Sequence, residues 1–87
     1  MNNVSFTPKG WIGYTYWQTK NRKKVDKINR LVADIVRGGN SGLGKPEALK
    51  GDMSGWWSRR IDDENRLIYR IVNGDIEIAQ CQGHYDD

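Results

Sequence analysis

Cysteine and histidine are almost missing from this chain: its 87 residues hold one of each, Cys81 and His84. A single cysteine excludes an intramolecular disulfide and a Cys-rich zinc site. One histidine beside it would still need carboxylates to complete a metal shell. No apolar run approaches the roughly 18 residues of a membrane span, and the N-terminal stretch lacks the apolar segment of a secretory signal. No membrane association is therefore expected, and a small unstapled chain reads as cytoplasmic. Hydrophobic residues at 37% and charged residues at 29% exclude a wholly disordered polymer. Area scaling leaves roughly 5,200 Å² exposed after folding against about 14,500 Å² before, enough burial for one modest core. Residues 1–87 are therefore expected to form one domain, with no room for a second.

Charge is present in both signs but unevenly placed. Residues 1–60 hold twelve Lys/Arg and four Asp/Glu, whereas residues 61–87 hold two and seven. The net +8 of the first segment against −5 of the second suggests a surface that faces a polyanion, nucleic acid first among them.

Val4 and Phe6 alternate with polar neighbours as in a short strand. Thr7-Pro8 predicts a helix start, with Thr as N-cap and Pro in the first turn. Over Lys9–Lys20 the large apolar residues Trp11, Ile12 and Tyr16 recur at roughly helical spacing, while Gly10 and Gly13 each weaken a helix by about 1 kcal/mol. Asn21 predicts the cap of a second helix, with Val25, Ile28, Leu31, Val32, Ile35 and Val36 as its apolar stripe. Asp26–Arg30 and Arg30–Asp34 are spaced as i,i+4 ion pairs, and Gly38 ends the helix.

Residues 38–46 read as a loop. From Trp57 the apolar period becomes two, predicting a three-stranded meander turned at Asp62–Asn65 and at Asn73-Gly74. In its last strand Ile76, Ile78 and Gln80 share one face, and Glu77, Ala79 and Cys81 the other. The expected architecture is α+β: an N-terminal helical hairpin on a mainly antiparallel β-sheet, completed by the first strand.

Two signals invite a chemical reading and do not sustain it. Residues 39–45 fit G-x-x-x-x-G-K, but Pro46 stands where Ser or Thr should hold Mg²⁺, and a helix rather than a strand precedes the loop. Cys81 is expected to be a small buried hydrophobe, since nothing adjacent would activate a thiol. Of Trp56 and Trp57, core or rim packing is expected, although an exposed indole could stack on a base.

A more informative set is Glu47, Lys50, Arg59, Arg60, Arg66, His84 and Tyr85. Singly, each could be a solvated surface residue. Together a carboxylate, several arginines and a histidine suffice for RNA cleavage without a metal. A base takes the proton of a 2′-OH, arginines stabilise the phosphate charge, and an acid protonates the leaving 5′-oxygen. A meander would let them converge, because Arg60 and Arg66 flank one hairpin and His84 follows the next strand.

The blocks Tyr14-Thr15-Tyr16-Trp17-Gln18, Lys24 through Ile35, Gly44-Lys45-Pro46-Glu47-Ala48-Leu49-Lys50, Ser54-Gly55-Trp56-Trp57-Ser58-Arg59-Arg60-Ile61, Asn65-Arg66-Leu67-Ile68-Tyr69 and His84-Tyr85 resemble, in collinear order over almost the whole chain, the YoeB/Txe family of the RelE-like superfamily. The chain differs in continuing past His84-Tyr85 with Asp86-Asp87. It also has Gln82-Gly83 where the family commonly has a basic and an aromatic residue. The resemblance implies a RelE-like fold and a ribosome-dependent mRNA interferase that cuts mRNA in the ribosomal A site of the 70S ribosome. It implies neutralisation by a YefM-type antitoxin, and leaves room for a homodimer. By matching position, Glu47 would be the general base, His84 the general acid and Arg66 the phosphate-stabilising arginine. Lys50, Arg59 and Arg60 would be supporting cations at the RNA backbone, and Tyr85 the aromatic beside the reacting nucleotide. No metal or organic cofactor is implied. Two alternatives remain open. One is a non-catalytic inhibitor on the same fold, like the ParE toxins that act on gyrase; the other is an RNA-binding module that does not cleave.

Overall fold

Thr7 starts the first helix as its spacing predicts: the hydroxyl accepts from the Gly10 N–H at 3.1 Å, and Pro8 opens the helix. A computed structural model describes residues 3–84. In chain order it contains β1 (Val4–Phe6), α1 (Pro8–Lys20), α2 (Arg22–Gly38), β2 (Glu47–Ala48), a 3₁₀ turn at Gly51–Met53, β3 (Trp57–Arg60), β4 (Arg66–Val72) and β5 (Asp75–Gln80). The strands form one sheet in the order β1-β5-β4-β3-β2, antiparallel except for the parallel β1–β5 pair. The predicted α+β architecture is thus observed, with β2 an added edge strand inside the stretch that has no strand period. No described helix is long and apolar enough to cross a membrane.

Asn21 serves both helices. Its backbone N–H closes α1 onto Trp17 O and its side chain caps α2 by accepting from the Lys23 N–H at 3.1 Å. The stripe on α2 packs Ile28, Leu31 and Ile35 into one core with Leu67, Tyr69, Ile76 and Ile78 of the sheet; Val25 is buried as well, while Val36 is exposed. The Asn73-Gly74 turn has both residues at positive φ, 53° and 84°, as a two-residue hairpin requires.

On α1 the large apolar residues Trp11, Ile12 and Tyr16 face away from the core. Trp11 and Ile12 are 52% and 65% exposed, and the buried positions are Gly10 and Gly13. The reason is distance. The helix lies so close to β5 that a methyl on Gly10 would overlap the Ile78 carbonyl oxygen, and one on Gly13 would meet Gln82 Cβ and Cys81 Sγ at 3.1 and 3.2 Å. Thr7 N–H donates to that same Ile78 oxygen at 2.9 Å, and Trp17 Nε1 donates to Cys81 O at 2.8 Å. The glycines that weaken the helix are what let it reach the sheet.

β5 carries a second departure. Tyr69 pairs with Ile78 but Ile68 pairs with Gln80, so Ala79 is an extra residue, a β-bulge. The alternation therefore changes sides at Ala79. Gln80 leaves the helix-facing side on which the sequence placed it, and Cys81 enters the core at 0% exposure. Burial there pushes the Cys81 thiol up to about 12.

Arg59 is the largest correction. The sequence places it at the substrate, yet its register on β3 turns it toward the helices and it is 0% exposed. All five guanidinium N–H donors are used. Nε donates to Tyr69 Oη (3.2 Å), Nη1 to Asp34 Oδ2 (2.6 Å) and Leu43 O (3.0 Å), and Nη2 to Gly39 O (2.7 Å) and Ser41 O (3.2 Å). None is left for a phosphate. Asp34, expected to pair with Arg30 along its own helix, turns instead to Arg59, to the Leu43 N–H and to Arg37. The Gly-rich loop accordingly works in the opposite sense to a phosphate loop: its carbonyl oxygens converge on a cation.

Two substitutions test these contacts by chemical denaturation. Gly10→Ala gains about 1 kcal/mol of helix propensity. It should nevertheless lose about 1–2 kcal/mol net, because the overlap is with backbone that cannot rotate away. A variant as stable as the wild type would show that α1 does not sit this near β5. Arg59→Met fills the same space without donors and should cost at least about 3 kcal/mol, through the carbonyls and carboxylate left unpaired.

Candidate active site

The face of the sheet turned away from the helices is built by register. Glu47 on β2 pairs with Ser58, Ser58 with Ile68, and Ile68 with Gln80, a row across four strands. Two residues along, on the same face, Arg60 pairs with Arg66. Side chains two apart on a strand share a face, so Glu47, Arg60 and Arg66 project to one side, about two strand spacings (~10 Å) across from β2 to β4. Ser58 and Ile68 between them are buried and form the floor, while Glu47 and Arg60 are exposed.

Glu47 is held beside a fixed point: Leu49, two residues on, is buried and its N–H donates to Trp56 O at 2.9 Å. Lys50 follows, exposed, at the start of the 3₁₀ turn. The end of β3 is tied down where the Arg60 N–H donates to Gly44 O at 2.7 Å. Arg70, on the same face, lies over the Trp56 ring, 4.5 Å from its centroid, and pairs with Glu77 at 2.8 Å. Trp56 is therefore partly covered by a cation and Trp57 packs against the core.

Arg66 and His84 come together from different elements. Arg66 Nη2 lies 3.4 Å from His84 Nε2, and Arg66 Nη1 donates to the carbonyls of Asp62 (2.6 Å) and Asn65 (3.2 Å). Nη1 is thus fixed by the turn, and Nη2 is directed at the histidine. Of the seven residues singled out from the sequence, Lys50 is exposed just beyond β2, His84 comes beside Arg66, and Glu47, Arg60 and Arg66 share this face. Arg59 lies behind it in the core, and Tyr85 falls outside the described residues. Among the described residues no three His, Cys, Asp or Glu side chains gather as metal ligands would.

The sequence reading passed over Asp62, taken only as a turn residue. Burial alone would raise its carboxyl. Lys24 of α2, the Asn65 side chain and the N–H groups of Glu64 and Asn65 outweigh that and hold it well below the usual carboxylate range. Asp62 so joins the helical layer to the turn that precedes Arg66. Its signal in the sequence was the Asp-x-x-Asn spacing within a turn, which marks local hydrogen bonding but not a partner on a distant helix.

Residues 6–85 match the family model described as "YoeB-like toxin of bacterial type II toxin-antitoxin system". The chain is 50% identical over 82 residues to Toxin YoeB of Streptomyces coelicolor, covering 94% of this chain and 98% of that protein. A chain of the YoeB–YefM complex from Staphylococcus aureus matches its fold with a TM-score of 0.91 at 44% identity, covering 98% of this chain and 99% of that one. The YoeB dimer from the same organism also gives a TM-score of 0.91 at 44% identity, over 97% of this chain and 98% of that one.

Acid should unfold the protein through two carboxyls. Asp34, held low first by the Arg59 hydrogen bond and then by the Leu43 N–H, and Asp62 both lie below their unfolded value of 3.8. A lowered folded value means that the unfolded chain binds the protons first. The stability these groups confer is full above about pH 4 and is lost as pH falls through the folded values. Denaturation midpoints taken from pH 6 down to pH 2 should fall steeply below about pH 4. Asp62→Asn should flatten that fall.

Proposed function

The chain belongs to the YoeB-like toxins of bacterial type II toxin–antitoxin systems, and from that premise we propose that it is a ribosome-dependent endoribonuclease that cuts mRNA in the ribosomal A site and so stops translation. One juxtaposition carries the reading: Arg66 and His84, 3.4 Å apart, on the face that also presents Glu47 across the sheet. Cleavage by the 2′-OH needs a base and an acid on opposite sides of the phosphorus, because the attacking and leaving oxygens are in line. Groups separated by the breadth of two strands, with a cation at one of them, suit that demand.

Glu47 takes the proton from the 2′-OH as its oxygen bonds to phosphorus. Arg66 balances the charge that gathers on the non-bridging oxygens. The P–O5′ bond breaks and His84 gives its proton to the departing oxygen, leaving a 2′,3′-cyclic phosphate and a 5′-OH. The step needs no metal ion. Lys50 and Arg60, both exposed, bind the RNA backbone, and Tyr85 stacks beside the reacting nucleotide. Arg59 takes no part in substrate binding, since its donors are all engaged.

The neutralising partner is a YefM-type antitoxin, supported by the YoeB–YefM complex of a chain 44% identical. An acidic, disordered segment suits the +8 of residues 1–60 and would fold on binding. A homodimer is a further assembly, supported by the Staphylococcus aureus YoeB dimer. The setting is the bacterial cytoplasm, where translating ribosomes are.

Glu47→Gln keeps the shape and removes the base. It should slow single-turnover cleavage on programmed ribosomes by about 10²–10⁴-fold, with ribosome binding and stability unchanged. Mapping the wild-type product ends should find 5′-hydroxyls. Ends bearing 5′-phosphate and 3′-OH would rule out attack by the 2′-OH, and binding without cuts would leave an RNA-binding module.

A further inference from the structure

His84 is carried by a turn whose backbone is held by two side chains outside the proposed chemistry. Gly83 has φ +93°, a conformation that only glycine adopts readily. A glycine has no side chain to pack, so bonds to its peptide groups decide where the next residue points. Both groups are taken. The Gly83 N–H donates to Asn65 Oδ1 at 2.8 Å, and the Gly83 carbonyl accepts from the Arg66 backbone N–H at 2.9 Å and from Gln80 Nε2 at 3.3 Å. The bulge at Ala79 puts Gln80 on the outer face, from which it reaches this carbonyl.

Asn65 is itself fixed from behind. Its Nδ2 donates to both Asp62 carboxylate oxygens, at 3.1 and 3.0 Å, and Asp62 pairs with Lys24 of α2. Only this orientation of the amide sets its nitrogen against acceptors and its oxygen against a donor. A chain of contacts therefore runs from α2 through Asp62 and Asn65 to Gly83. Asn65 is also the residue just before Arg66, so one side chain ties the histidine's turn to the arginine's strand.

We propose that Asn65 is a positioning residue for His84, setting the imidazole against Arg66 and the leaving oxygen by clamping the Gly83 peptide. The proposal rests on the reading of His84 as the general acid. Without the clamp a positive-φ glycine would let the imidazole wander, and a displacement of about 1 Å can cost roughly 10²-fold in rate.

Two measurements test it. Amide hydrogen exchange of the full chain needs neither ribosome nor substrate. The Gly83 amide should be protected in the wild type and unprotected in Asn65→Ala; a freely exchanging Gly83 in the wild type overturns the proposal. Single-turnover cleavage then compares ordinary mRNA with mRNA carrying sulfur at the bridging 5′ position, where the thiolate leaves without a proton. Asn65→Ala should lose about 10²-fold at saturating ribosome on ordinary mRNA, with the half-saturating concentration unchanged, and regain most of it on the sulfur substrate. Asn65→Ala/His84→Ala should be no slower than His84→Ala alone. The core variant Ile35→Val, a control for lost stability, should cut both substrates at the wild-type rate. Equal losses on both substrates, or additive losses in the double variant, overturn the positioning role. A His84→Ala protein that cuts at the wild-type rate overturns the acid assignment and the proposal with it. That case is told apart because in the others His84→Ala alone still cuts ordinary mRNA slowly.

Discussion

A guanidinium with no access to water must find an acceptor for every N–H, and satisfying Arg59 organises much of this fold. Taking such an ion out of water costs several kcal/mol even after relaxation, and the cost is offset only when geometry and hydrogen bonds are complete. Here they are complete. Asp34 supplies the opposite charge from α2, Tyr69 an oxygen from β4, and Gly39, Ser41 and Leu43 three carbonyls from the loop after α2. The loop has no regular structure of its own to satisfy those carbonyls, so the arginine and the loop each solve the other's problem. Once the loop is drawn onto Arg59, its Gly44 carbonyl receives the Arg60 N–H and its end delivers Glu47 to the edge of β3. A residue inside the core thus governs where the proposed base stands on the opposite face.

The other half of the site depends on a close approach. Without side chains at Gly10 and Gly13, α1 lies directly on β5 near the bulge, and its Thr7 engages the carbonyls of both Ile78 and Ala79. The bulge reverses the alternation, sends Cys81 inward and Gln80 outward, and brings Gln82–His84 round to Arg66. The exposed Trp11, Ile12 and Tyr16 are the counterpart of the same packing: the face of α1 that touches the sheet is the one with least side chain. A glycine pair that reads as a weakness in local propensity is a requirement of the tertiary contact.

These two features show where reading the chain succeeds and fails. Local signals with a physical mechanism within a few residues were legible: the Thr7-Pro8 start, the Asn21 cap, the stripe on α2, the Asn73-Gly74 hairpin. The Arg30–Asp34 pairing was legible too, and wrong, because the carboxylate had a better partner 25 residues away in a dry site. Arg59 and Arg60 are adjacent and chemically alike. Nothing in composition says which is buried; β-sheet parity does, and parity is known only once the register is set. Glu47 was legible as a carboxylate among cations, but its strand is two residues long and exists because β3 pairs with it.

By itself the sequence determined the two helices, the three-stranded meander and the α+β class, because caps, turns and apolar periods act over short distances. It also determined, by resemblance over nearly the whole chain, the family, and with it the residue types offered for chemistry. Tertiary structure alone decided which of those residues share a face: it withdrew Arg59 into the core, turned Gln80 and His84 outward through one extra residue in β5, and gave Asn65 a part beyond its turn. Each of those outcomes depends on strand register, a bulge or a contact between segments far apart in the chain. None has a local free-energy signature from which it could be read beforehand.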